Sequence, residues 1–153
     1  MSLLYYEEEI RALNKTKIKY LVVGGVAVNL HGLVRMTRDL DLMIDINEDN
    51  LQKFVSLMSK LGYGTNLSVD EWKGKVTIAF RNDKDKSKQI DIFMKNPIKF
   101  DQAYKRRKLF DLGRVKISCV GLEDLLRMNA ISGRDRDLID SGYLKKYKRE
   151  KKI

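Results

Sequence analysis

Three aspartates and a pair of glycines are the residues of this 153-residue chain best suited to chemistry. Asp39 and Asp41 lie in Thr37-Arg38-Asp39-Leu40-Asp41-Leu42, and Asp91 lies in a later apolar run, Gln89-Ile90-Asp91-Ile92-Phe93. Alternate side chains of a strand share a face, so Asp39 and Asp41 project together while Leu40 and Leu42 turn away. Like charges in that setting raise each other's pKa unless something cationic stands between them. A divalent metal is such a group, and carboxylate oxygens are the ligands that Mg²⁺ takes. Gly24 and Gly25 follow the apolar run Tyr20-Leu21-Val22-Val23. Glycines there let backbone N–H groups approach an anion closely. A phosphate held by backbone beside a metal held by acids is the chemistry these residues suit.

The elements that must position them follow from periodicity. Lys19–Val23 reads as a buried strand, and Gly25–His31 as a short helix that Gly32 closes. Asp39–Ile46 alternates acid and apolar residues and reads as a strand. Asn47 caps the next helix, whose apolar face is Leu51, Phe54, Val55, Met58 and Leu61, with Gly62 at its end. Val76–Phe80 and Lys88–Met94 read as an antiparallel pair joined by the polar loop 81–87. A helix is expected around Phe100, Tyr104 and Leu109, a short strand at Val115–Ser118, and a helix from Gly121 that buries Leu122, Leu125, Leu126 and Met128. A last helix is expected from Arg134 to Tyr147. The sum is α+β: a mixed sheet with an antiparallel pair, flanked by helices. Residues 1–120 are expected to form the core, with the helices and basic tail of 121–153 packed on it as one domain.

Two lone residues invite stronger readings than they carry. His31 is the only histidine; on a short helix it is expected to orient or pack rather than act as a base. Trp72 stands in a loop beside Lys73 and Lys75, and a core role is favoured over stacking on a base. Asp45-x-Asn47-x-Asp49 starts like a calcium loop, but Asn50 stands where glycine is needed and Ser56 where glutamate is.

Composition narrows the class further. Apolar residues at 43% beside 34% charged suit a soluble globular domain. Cys119 is the single cysteine, which excludes an internal disulfide and a cysteine-based zinc site. No apolar stretch reaches membrane-span length and the N-terminus has no signal-like apolar region, so the expected location is cytoplasmic. The net charge of +10 is concentrated. Residues 99–116 hold seven basic and two acidic side chains, and residues 145–153 hold six and one. Such zones attract polyanions, so nucleic acid is the natural partner, with a solubilising surface and basic tail as the alternative.

The string Gly24-Gly25-Val26-Ala27, His31-Gly32, Arg35-Met36-Thr37-Arg38-Asp39-Leu40-Asp41, with Asp91 on a later strand, resembles the nucleotidyltransferase superfamily typified by DNA polymerase beta. It is similar in particular to the small nucleotidyltransferases grouped with the AbiEii-type toxins. Leu125-Leu126-Arg127-Met128-Asn129 followed by Gly133-Arg134-Asp135-Arg136-Asp137 extends the likeness, which spans roughly residues 18–140. The resemblance implies transfer of an NMP from an NTP to a hydroxyl acceptor such as RNA, as an enzyme that releases pyrophosphate. It implies two Mg²⁺ ions (or Mn²⁺) on Asp39, Asp41 and Asp91, with Asp91 helping to activate the acceptor hydroxyl. It also implies phosphate contacts from Gly24 and Gly25, with Arg35, Thr37 and Arg38 beside them, and an antitoxin protein as a partner. Asn129 stands where that group has lysine, with Arg127 or Arg38 as substitutes. The alternative is a nucleotide- or nucleic-acid-binding module with weakened chemistry.

Overall fold

A computed structural model describes residues 3–151. After a 3-10 turn, Leu3–Tyr6, the elements in chain order are α1 Glu7–Lys15, β1 Tyr20–Val23, α2 Gly24–Leu30, β2 Leu40–Ile44, α3 Glu48–Lys60, β3 Tyr63–Gly64 and α4 Val69–Trp72. They continue as β4 Thr77–Asn82, β5 Gln89–Phe93, α5 Phe100–Lys105, β6 Lys108–Asp111, β7 Lys116–Cys119, α6 Leu122–Ser132 and α7 Asp135–Lys151. The strands form one seven-stranded sheet in the order β3-β4-β5-β2-β1-β7-β6. β2 pairs with β5, and β1 with β7, in parallel; the other neighbours are antiparallel. The expected α+β architecture with a mixed, helix-flanked sheet is what forms.

β1 is buried along its whole length, whereas in β2 and β5 the fully buried Leu40, Leu42, Ile90 and Ile92 share one face and the aspartates lie on the other. α3 starts as its sequence dictates: the Asn47 side chain accepts from Asn50 N–H at 2.9 Å. Its core face also includes Leu57 beside Phe54 and Met58, while Leu51, Val55 and Leu61 are partly buried.

α1 has no counterpart in the expected elements. Its acidic first turn, Glu7-Glu8-Glu9, suits the positive end of a helix, and Ile10 and Leu13 are buried. Glu9 is also buried, and it is matched there by Lys88 Nζ at 2.9 Å and by the Tyr63 hydroxyl at 2.6 Å. A charge so placed is tolerated only with such partners.

Two expectations are corrected, Trp72 in a loop and Leu109 in a helix. Leu109 belongs to a strand, β6, rather than to the helix of Phe100 and Tyr104, because Leu112 N–H bonds the Val115 carbonyl at 3.0 Å and Gly113 (φ 85°) turns the chain back. That turn pairs Lys108–Asp111 with Lys116–Cys119 and ends the helical run at Lys105. Trp72 closes the short helix α4, packs edge-on against Phe80 at 5.9 Å between centroids, and is buried. No helix among the described residues is long and apolar enough to cross a membrane.

Candidate active site

Register across the sheet assembles the site. Asp41 of β2 lies opposite Asp91 of β5, Ala79 of β4 flanks Asp91, and Val23 of β1 flanks Asp41. Opposed residues face the same side of a sheet, so a row runs across four strands and ends where Gly24 begins α2. Asp39 lies one residue before β2. The small Ala79 leaves room beside Asp91, and a cleft of about 540 Å³ opens over the row. Its far wall is α6 and its approach to α7, through Leu125, Met128, Asn129, Ser132, Arg134 and Asp137.

The glycines are required by their neighbours. Gly24 has φ 65°, and a Cβ there would stand 2.2 Å from Asp41 Oδ2. A Cβ on Gly25 would stand 2.4 Å from Thr37 Oγ1 and 3.1 Å from an Arg35 guanidinium nitrogen. Gly24 thus admits the acid, and Gly25 admits Thr37 of the segment that leads into β2.

The acids crowd one another. Burial, then the charge of Asp91 and a side-chain hydrogen bond with it, push the Asp41 carboxyl up to about 8. Asp39 is raised by burial and by Asp91, against the opposing pull of Arg38 and Arg81. Asp41 and Asp91 are in direct contact, whereas Asp39 acts on them through its charge. Among the described residues no three acidic, histidine or cysteine side chains are gathered closely enough to hold one ion. The donor set is nonetheless that of a hard cation, and the raised Asp41 marks the charge such a cation would neutralise.

Residues 1–144 match the family model of nucleotidyltransferases of unknown function, DUF6036. The chain belongs to that family. It is therefore an enzyme of nucleotidyl transfer. No curated protein matches its sequence. Solved structures share its fold. The lincosamide antibiotic adenylyltransferase LnuA, solved with lincomycin, is 21% identical with a TM-score of 0.64, over 94% of each chain. The antibiotic-resistance factor ANT(2'')-Ia is 12% identical with a TM-score of 0.63, over 93% of this chain and 80% of its own. An antigenic nucleotidyltransferase-like protein of Paracoccidioides brasiliensis is 17% identical with a TM-score of 0.61, over 91% and 74%.

The remaining residues of this nucleotidyltransferase divide between the cleft and the scaffold. Arg35 Nε lies 3.0 Å from Asp140 Oδ2 of α7, out of line for a hydrogen bond, so the pair is held by charge. Its guanidinium also donates to the Met36 carbonyl at 3.0 Å. Those contacts tie the 33–38 segment to α7. His31 Nε2 sits 2.8 Å from the Val120 carbonyl, and its ring packs edge-on against Phe110. Burial lowers its pKa, as for a neutral packing residue.

Asn129 lines the cleft but gives its amide to Ser141 Oγ at 3.1 Å. Arg127 is turned to Asp124 at 3.2 Å. The cation that does line the cleft is Arg134, whose charge acts to lower the Asp41 pKa and whose Nε bonds Asp137 Oδ2 at 3.0 Å. Sequence reasoning placed Arg134 in a motif without a role. Its signal was the preceding Gly133, which ends α6 in the left-handed region (φ 64°) and turns the chain at the cleft.

The two basic zones approach each other at the start of α6. Glu123 pairs with Lys148, and the buried Asp124 takes Arg106 Nε at 3.0 Å as well as Arg127. Arg114 is paired with Glu7 at 3.5 Å. Lys152 and Ile153, the end of the second zone, lie outside the described residues.

Proposed function

We propose that this nucleotidyltransferase moves an NMP from an NTP to a hydroxyl acceptor, with Mg²⁺ held by Asp41 and Asp91 and supported by Asp39. The observation that carries the reading is the register pair Asp41–Asp91, pressed together under the cleft beside the glycine turn. A divalent ion held there by Asp41 and Asp91 would supply charge stabilisation at the reacting phosphate. The backbone at Gly24 and Gly25 binds the β and γ phosphates, with Thr37 and Arg38 alongside. Arg134 meets phosphate charge from the opposite wall and takes the part of the lysine that Asn129 replaces. Asp91 accepts the proton of the acceptor hydroxyl as its oxygen forms a bond to the α phosphorus and pyrophosphate leaves.

The acceptor is RNA in this reading, supported by basic zones that adjoin at the start of α6. The structural neighbours named for antibiotic adenylyltransfer make a small hydroxylated molecule the competing acceptor. A cognate antitoxin enters through the resemblance to AbiEii-type toxins, and a pull-down from the native host tests it.

Incubation with α-labelled NTPs, Mg²⁺ and either total RNA or a small-molecule extract tests the whole reading. Label moves to one acceptor class and pyrophosphate is released. Asp41→Asn and Asp91→Asn each reduce transfer by about 100-fold or more, a few kcal/mol of transition-state stabilisation. Transfer that survives either substitution rejects the proposal.

A further inference from the structure

Gln89 stands two residues before Asp91 on β5, on the same face, and its side chain is held at both ends. Nε2 donates to Asp91 Oδ1 at 2.8 Å, and Oε1 accepts from Arg81 Nε at 3.0 Å. Arg81 is the cross-strand register partner of Gln89 on β4. A guanidinium can only donate, so Arg81 compels the amide oxygen to face it. The amide nitrogen must then face Asp91. The orientation that would otherwise be free is set by a neighbour on the next strand.

The backbone of Gln89 is gripped as well. The buried Tyr6 hydroxyl accepts from Gln89 N–H at 3.1 Å and donates to the Arg38 carbonyl at 2.6 Å. One phenol thus joins the residue before Asp39 to the start of β5. The segments that lead into the two acid-bearing strands are pinned together two residues before the level where Asp41 faces Asp91.

We propose that Gln89 is a positioning residue for Asp91 and that Arg81 acts through it; this rests on the reading of Asp91 as a metal-holding acid. By occupying Oδ1, the Gln89 amide fixes the rotation of the carboxylate and leaves Oδ2 as the oxygen offered to a cation. Groups that orient a metal ligand in this way are worth about 10–100-fold in metal affinity or activity. A cross-strand pair that merely stabilised β4 against β5 would change unfolding and leave metal affinity alone.

Mn²⁺ is the probe, titrated calorimetrically into the full chain as wild type, Gln89→Leu, Arg81→Met and the double variant, with thermal unfolding measured on each. Gln89→Leu weakens Mn²⁺ binding by about 10-fold, and Arg81→Met weakens it by less. The double variant binds no more weakly than Gln89→Leu alone, because the hydrogen-bonded route from Arg81 to Asp91 runs through Gln89, and the charge that Arg81 also exerts on Asp39 opposes a bound cation rather than holding it. In turnover the losses fall on kcat, while KM for the NTP holds. Mn²⁺ affinities within twofold of wild type, or losses that add, overturn the proposal. If Gln89→Leu does not fold, Arg81→Met carries the test alone, with the same twofold criterion. Wild-type protein that takes up no Mn²⁺ removes the metal reading itself, an outcome distinct from a wild type that binds and variants that bind equally well.

Discussion

Gly24 and Asp41 are fitted to each other: the acid occupies the space a side chain on the glycine would need, with Oδ2 2.2 Å from where a Cβ would stand. Gly24→Ala therefore meets two obstacles. Its φ of 65° is strained for alanine by about 1–2 kcal/mol, and the methyl group must push Asp41 aside. If Asp41 serves the reaction as proposed, its displacement by about 1 Å is enough for about a 100-fold loss of turnover. Gly24→Ala should lose activity by that factor while its unfolding temperature falls only modestly, as measured by steady-state kinetics and thermal unfolding.

The crowded acids give stability a defined pH dependence. Asp41 has a folded pKa of about 8 against 3.8 for the ordinary carboxyl. Between those values the folded chain binds more protons than the unfolded one, so stability is greatest at the acid end of that window and falls as pH rises through it. Each kcal/mol so lost lowers the unfolding temperature by about 2–4 °C. If Asp41 and Asp91 hold Mg²⁺ as proposed, the ion competes with those protons and restores what deprotonation removes. The rise in unfolding temperature on adding Mg²⁺ should be larger at pH 8.5 than at pH 5; an equal rise at both would show that the ion binds elsewhere.

Arg35 is tied to the scaffold, and its replacement should read out as instability. Its partner Asp140 has a side chain only 8% exposed, so Arg35→Ala leaves a carboxylate buried without its cation. The cost is about 3 kcal/mol, the low end for a broken buried pair, or about 6–12 °C in unfolding temperature. Asp140→Asn in the Arg35→Ala background should recover part of it. A variant that keeps its stability but loses NTP affinity would instead place the guanidinium on phosphate.

Much of the site was legible because its signals are local. Strand alternation in Asp39-Leu40-Asp41-Leu42 and in Ile90-Asp91-Ile92 fixes which side chains share a face, and Val23-Gly24-Gly25 announces a strand running into a turn. What local pattern does not carry is register between distant segments. That Asp41 stands opposite Asp91, that Arg81 reaches Gln89, and that Arg35 finds Asp140 depend on pairings set by the whole core. Arg134 is illegible for the same reason, since its place at the cleft follows from the turn at Gly133 and the packing of α7. Leu109 reads as helix in the sequence because the apolar spacing before it outweighs the hairpin signal at Gly113.

The basic zones make a prediction that separates paired charge from available charge. Lys105 and Lys145 are exposed, whereas Arg106 is bonded to the buried Asp124. If RNA is the acceptor, its affinity falls with salt at a log–log slope near −0.9 per phosphate contact. Lys105→Gln and Lys145→Gln should each weaken binding uniformly across RNA sequences and reduce the slope by about 1. Arg106→Gln should behave differently, because it takes one of two guanidinium partners from the buried Asp124 and its first effect is on unfolding. Fluorescence anisotropy with a labelled oligoribonucleotide between 50 and 200 mM salt measures both slopes. A flat response in the wild type would mean that the surplus charge serves solubility rather than RNA binding.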